Sequence, residues 1–111
     1  MTIKLKFTLD QVLAISLLLN KVYELPFQAF SEHEKVAISI GSLLSDKFEA
    51  KKREVQKKLD LINRNNKLQM SLKYHEAWAL KNICLHRISW LENDFQKRNI
   101  QNAITQIDSL K

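Results

Sequence analysis

The first residues of the chain alternate between apolar and polar side chains. Ile3, Leu5 and Phe7 lie on one side of an extended segment and two lysines on the other, which is the period of a β-strand. No later segment offers a second convincing strand. We therefore expect residues 2–8 to form an extended N-terminal arm. The arm either packs over the helices of its own chain or pairs with the same segment of a second subunit, because exposed strand edges invite pairing.

A helical pattern follows the arm directly. Thr8 and Gln11 have the spacing of a capping box, which predicts a helix that begins near Leu9. Pro26 cannot continue a helix, so we place this first helix at residues 9–24. Its side chains are apolar on almost every side, which is typical of a helix that is buried by several neighbours.

A second capping pattern begins at Ser31 and predicts a much longer helix over residues 32–63. Such a helix would be roughly 48 Å long at 1.5 Å per residue. Gly41 lies within this helix. We interpret it as the point where another helix crosses closely, rather than as the site of a kink. The asparagine-rich segment that follows residue 62 predicts a turn.

A third helix is predicted over residues 71–98. Its apolar side chains form three strips, and Ile83 and Trp90 belong to the second of them. One neighbouring helix cannot cover three strips, so the first helix or another subunit must cover the remainder. An amphipathic C-terminal helical segment then continues the third helix or begins after a break near Asn99.

Together these patterns predict an all-α fold. Loops and turns depend on glycine and proline, and the chain has one of each. We expect a single domain, residues 1–111, built as an elongated helical hairpin or bundle. An elongated monomer covers its apolar strips poorly, so we expect a homo-oligomer, with a dimer favoured. The expected interface residues are Ile3, Leu5, Phe7, Ile83 and Trp90.

Charge is concentrated in one part of the chain. The net charge is +6, and residues 46–73 hold nine basic and four acidic side chains. The basic residues of this segment fall on two flanks of the predicted helix. Acidic residues stand four positions before several of them, a spacing that stabilises a helix through ion pairs. Both observations favour a solvated helix. A nonspecific contact with phosphate or another acidic surface is the alternative. The candidate phosphate contacts are Lys47, Lys51, Lys52, Arg53, Lys57 and Lys58.

Candidate catalytic chemistry is sparse. His33 and His75 are each followed by glutamate, but alanine stands where a zinc-protease helix requires its second histidine. His75 and His86 share a helical face, yet three turns separate them by roughly 16 Å, which is too far for one metal. Cys84 lies on an apolar strip and is interpreted as a core residue. We predict no catalytic residues, no metal site and no cofactor.

These patterns lead to a functional hypothesis. We expect a non-enzymatic, oligomeric helical protein that acts in interaction or assembly, and the alternative is a nonspecific nucleic-acid or acidic-surface binder that uses residues 47–58. The single cysteine excludes an internal disulfide, which fits the cytoplasm. The apolar run at residues 12–19 is shorter than the ~20 residues of a membrane span.

Overall fold

A two-stranded antiparallel sheet joins distant parts of the chain. The computed structural model describes residues 2–57 and 67–109. Strand β1 (Thr2–Thr8) pairs with strand β2 (Lys67–Lys73) in a register that sets Leu5 opposite Met70. The prediction that the chain holds no second strand was therefore wrong. The N-terminal segment is neither a free arm nor dependent on a second subunit for pairing.

The sequence of β2 carries the same alternation as β1. Leu68, Met70 and Leu72 alternate with polar residues. Met70 and Leu72 also fit the apolar strips of a helix, which is how the sequence analysis interpreted them. That interpretation was wrong, because both residues belong to β2. Two short strands can each supply the hydrogen-bonding partner that the other lacks. Leu5 and Leu72 are completely buried on the inner face of this sheet.

Five helices complete the described fold, and two of them start directly from the strands. The first helix begins at the residue after β1, and the fourth begins at the residue after β2. Short 3₁₀ turns lie before α2 and after α4. The helices are α1 (Leu9–Tyr23), α2 (Glu32–Ile40), α3 (Leu44–Lys57), α4 (Tyr74–Arg87) and α5 (Asp94–Ser109), and the turns are Phe27–Ala29 and Ile88–Trp90.

The predicted N-terminal caps are present. The Thr8 hydroxyl accepts a hydrogen bond from the backbone N–H of Gln11, and the Gln11 side chain accepts one from the Thr8 N–H. The Ser31 hydroxyl accepts from the backbone N–H of Glu34. These contacts satisfy backbone donors that a helix leaves free at its start, and they confirm where α1 and α2 begin.

The long helix predicted over residues 32–63 is divided at Gly41. This residue caps α2, and α3 starts three residues later. A Cβ atom on Gly41 would lie 3.0 Å from the Leu44 side chain and 3.1 Å from the Tyr23 hydroxyl oxygen. Gly41 ends a helix, so the interpretation as a crossing point within one unbroken helix was wrong, although the position is crowded by these two side chains. The predicted asparagine-rich turn lies outside the described residues.

The helix predicted over residues 71–98 is also divided. Its first residues belong to β2, and α4 ends at Arg87. Before α5, Asn93 acts as a cap, because its Oδ1 accepts hydrogen bonds from the backbone N–H groups of Phe95 and Gln96. The helix break therefore lies before Asp94. The sequence alone allowed a break near Asn99. On α5, the inward side chains are Ile100, Ala103, Ile104 and Ile107.

The helices pack around one core instead of extending as a hairpin. Helix α1 contacts α3, α4 and α5, and α2 lies on α4. The radius of gyration is 13.5 Å, and a compact chain of this length is expected at about 13 Å. The longest dimension is 43 Å, shorter than the single predicted helix. The all-α elongated hairpin was therefore wrong, and the fold is a compact, mostly helical globule with a small sheet.

Among residues 2–57 and 67–109, no helix is long and apolar enough to cross a bilayer.

Replacing Leu5 with Ala tests the position of β1. Leu5 is fully buried, so its truncation should lower the free energy of unfolding by about 2–5 kcal/mol. Leu85 is 47% exposed on α4, and Leu85→Ala should change it by less than about 0.5 kcal/mol. Urea denaturation followed by circular dichroism measures both values. Equal, small losses would mean that β1 does not form part of the core.

Candidate interaction surfaces

The residues expected at an oligomer interface lie largely inside the chain. Ile3, Leu5 and Phe7 are buried on the inner face of the sheet, and Ile83 is 4% exposed on α4. Trp90 is half-buried against the core. The chain itself already covers most of these side chains, so the apolar surface that suggested an oligomer is occupied within one molecule.

The outer edge of β1 is also occupied. The backbone N–H of Lys6 donates to Oε1 of Gln106 on α5 at 2.7 Å, and Nε2 of Gln106 donates to the Lys6 carbonyl at 2.7 Å. The side-chain amide thus makes the two bonds that a neighbouring strand would make at this position. Covering an edge in this way reduces its tendency to pair with another chain.

The candidate phosphate contacts on α3 are mostly engaged with carboxylates. Lys51 and Lys52 form i,i+3 ion pairs with Glu54 and Glu49 at 3.7 and 3.9 Å. Arg53 is exposed. Lys57 is the last residue of α3, and its side chain, like the whole of Lys58, lies outside the described part of the chain.

Lys47, the remaining candidate, pairs with the most buried carboxylate of this group, Glu76. Its Nζ donates to both carboxylate oxygens of Glu76 on α4 at 2.9 Å, and the backbone N–H of Lys73 donates to the same carboxylate at 2.9 Å. Burial raises the pKa of Glu76, but the hydrogen bonds from Lys73 and Lys47 more than offset it and leave the pKa lowered. Glu76 therefore stays ionised and ties α3 to the start of α4.

A second carboxylate joins α1 to α3. Glu49 accepts hydrogen bonds from the Ser16 hydroxyl at 2.7 Å and from the Asn20 amide at 2.9 Å. These two hydrogen bonds, in that order, are the main causes of its lowered pKa. Glu49 lies within the basic segment and Glu76 just beyond its end. Both carboxylates therefore connect two helices.

The outer face of the sheet is a lysine surface that the sequence analysis did not recognise. Lys4, Lys6 and Lys73 are exposed there, and in the described residues they form no ion pair. Lys4 lies opposite Ser71, and Lys6 opposite Gln69. We call this surface, defined by the three lysines, the lysine face. The alternation of β2 is the signal that could have revealed it, because period 2 places its polar residues beside those of β1.

A polar cleft of about 660 Å³ continues the lysine face between β1 and α5. None of its lining residues is acidic. They are Lys4, Lys6, Thr8, Gln11, Asn102, Gln106 and Ser109. The cleft and the lysine face together form a continuous region without carboxylates among the described residues that line them.

An apolar groove of about 310 Å³ lies between the end of α1 and α2. Phe30 and Ile38 are buried in the groove, whereas Leu25 and Phe27 are 41% and 46% exposed. We call it the Phe27 groove. The ammonium of Lys35 lies 5.6 Å from the centre of the Phe27 ring, a distance at which a cation is attracted to an aromatic face.

An ion pair fixes α2 against the end of α4. Arg87 Nε donates to Glu34 Oε2 at 2.8 Å, and Nη2 of Arg87 lies 2.6 Å from the same oxygen. The guanidinium also lies 5.0 Å from the ring centre of Phe30 and 4.4 Å from that of Trp90. Arg87 therefore holds the loop before α2 and the turn after α4 together.

The one cysteine of the sequence lies in the core. Cys84 is buried, and burial raises the pKa of its thiol to about 12, so the nucleophilic thiolate is scarce near neutral pH. Within residues 2–57 and 67–109, no three His, Cys, Asp or Glu side chains are grouped to hold a metal ion.

Comparison with known proteins gives no assignment. No protein-family model, curated protein or solved structure matches this chain.

Replacing Glu76 with Gln tests its role at the junction of α3 and α4. The substitution removes the charged acceptor of Lys47 and of the Lys73 N–H, so the free energy of unfolding at pH 7 should fall by about 1–3 kcal/mol. Chemical denaturation measures it. Glu92→Gln, at an exposed loop position, is the control and should have little effect.

The same pair of proteins tests the pKa of Glu76. Because its pKa is lowered in the folded state, its contribution is fully present above the unfolded pKa of about 4.3 and is lost as pH falls through the lower folded value. The stability difference between wild type and Glu76→Gln should therefore narrow below about pH 4.3. A difference that stays constant as the pH falls well below about 4.3 would contradict this assignment.

Proposed function

We propose that this protein is a non-enzymatic interaction module that associates with a second copy of itself through the Phe27 groove. The observation that supports this proposal is the exposure of Leu25 and Phe27 beside an apolar groove with Phe30 and Ile38 within it. Burial of apolar surface is the main driving force of protein association. Exposed apolar groups around a concavity are a usual feature of interaction sites.

A second copy is the favoured occupant because one surface carries both a half-exposed aromatic ring, Phe27, and the open groove that this ring lines. In a twofold dimer the same patch of each subunit meets its equivalent, so Phe27 of each copy can enter the groove of the other. The interface differs from the one predicted from the sequence. Ile3, Leu5 and Phe7 contribute to the core, and the groove takes the role that they were expected to have.

Replacing Phe27 with Glu tests this proposal. Light scattering at micromolar concentration should give a dimer mass for the wild type and a monomer mass for the variant, because a charge would be buried at the centre of the interface. Phe95→Glu is the matched control, since Phe95 is 54% exposed on α5 outside the groove, and it should remain a dimer. A wild-type protein that is monomeric at all concentrations would contradict the proposal.

Binding to the phosphate backbone of nucleic acids is a second candidate function, and the lysine face favours it. Lys4, Lys6 and Lys73 are exposed, and the adjoining cleft is lined by cationic and uncharged polar side chains. Lys47 and Lys51 lie beyond the opposite edge of the sheet, in a groove that Glu54 also lines. Both lysines are paired with carboxylates, so the candidate contacts are those of the lysine face. Contacts of this type are independent of sequence and depend strongly on salt.

The double variant Lys4→Gln, Lys6→Gln tests the second candidate. A gel-shift series from about 50 mM salt upward should show weaker binding than the wild type, with a salt slope smaller by about 2, because two phosphate contacts are lost. The matched control is Lys21→Gln, Lys97→Gln, which removes equal charge from α1 and α5 and should keep the wild-type slope. The absence of a wild-type shift at about 50 mM salt would exclude this function.

A further inference from the structure

Two of the three histidines of the chain meet where α2 crosses the end of α4. The ring centres of His33 and His86 are 5.6 Å apart, and the rings are nearly perpendicular at 81°. Both side chains are exposed. The third histidine, His75, lies in the first turn of α4 and is not part of this contact.

The spacing of the two rings suits a shared metal ion. Two imidazole nitrogens that bind one ion at about 2.0–2.1 Å place their ring centres roughly 5–6.5 Å apart, depending on the angle at the metal. The observed 5.6 Å lies within this range. Both side chains are exposed, so each ring is free to turn one nitrogen toward an ion between them.

The backbones that carry the two histidines are held in place by their neighbours. Glu34 follows His33, Arg87 follows His86, and these two neighbours form the ion pair that joins α2 to α4. Arg87 is further fixed by the rings of Phe30 and Trp90. These contacts already restrict the backbones of the two histidines. Binding an ion therefore costs less conformational entropy than it would on a mobile segment.

Asn82 lies one turn before His86 on α4 and, with His33 and His86, is among the residues around a small cavity of about 10 Å³ whose accessible surface is apolar. The cavity itself is therefore not the metal site, and the proposed ligands are the two imidazoles. Water can supply the remaining ligands of an exposed ion.

We propose that His33 and His86 form a bidentate binding site for a borderline transition-metal ion such as Zn²⁺, Ni²⁺ or Cu²⁺, and that the ion links α2 to α4. Imidazole is a preferred ligand of these metals. The dipole at the C-terminal end of α4 favours a cation beside His86, whereas that at the start of α2 opposes one beside His33. The imidazole nitrogens must therefore provide the affinity. This site is independent of the Phe27 groove and of the lysine face.

Competing ligands in the chain are limited. Cys84 is the only cysteine, and it is buried with its thiol pKa raised to about 12, so metal binding by its thiolate is disfavoured. Glu34 is engaged with Arg87. His75 provides an internal control, because it is an exposed histidine on one of the same helices.

The test measures thermal unfolding with and without NiCl₂ or ZnCl₂ in a buffer that does not chelate metals. An ion that binds only the folded state raises the melting temperature with increasing concentration. We expect this rise in the wild type and in His75→Ala, and we expect it to disappear in both His33→Ala and His86→Ala. Calorimetric titration should give one ion per chain for the wild type. A rise that persists in His33→Ala or His86→Ala would overturn the proposal.

A second measurement uses the unaltered protein and does not depend on the folding of any variant. Paramagnetic Ni²⁺ or Cu²⁺ should broaden the imidazole NMR signals of His33 and His86 at concentrations that leave His75 sharp. Acidification should reverse the broadening, because a protonated imidazole is not a ligand. Equal broadening of all three histidines would show only weak, independent binding and would overturn the shared site.

Discussion

The pairing of β1 with β2 is the constraint on which the other parts of the fold depend. Each strand leads without a loop into a helix, so the pairing fixes where α1 and α4 begin. Bringing two segments so distant in sequence together costs loop-closure entropy. Burial of the apolar inner face offsets this cost, because Leu5, Phe7 and Leu72 are completely removed from water.

The surfaces of the molecule follow from the same arrangement. Because side chains alternate along a strand, the inner face of the sheet that builds the core requires an outer face, and here that outer face is rich in lysine. Gln106 reaches the sheet edge only because α5 packs beside β1. In the same way, the ion pair between Glu34 and Arg87 and the contact between His33 and His86 exist because α2 lies across α4.

Local signals in the sequence were reliable where a single contact decided the outcome. The caps at Thr8 and Ser31 depend on side chains within three residues of the helix start, so their spacing located the starts of α1 and α2 correctly. Divisions within long apolar patterns were not resolved. Gly41 fits both a close crossing and a helix end, and Leu72 fits both a strand and a helical strip, because short apolar segments are compatible with either period. Of the candidate site residues, Lys47 was recognised for its charge, but its partner Glu76 lies on another helix.

The sequence by itself determined the mostly helical character, the first helix and its cap, the burial of Cys84 and the positive charge. These properties depend on composition and on neighbours along the chain. Only the tertiary structure decided that residues 2–8 find their strand partner within the chain, that the long helices are divided, and which charges are left exposed. Those outcomes depend on contacts between residues far apart in sequence, where several partners satisfy the same local pattern and the burial of one common core selects among them.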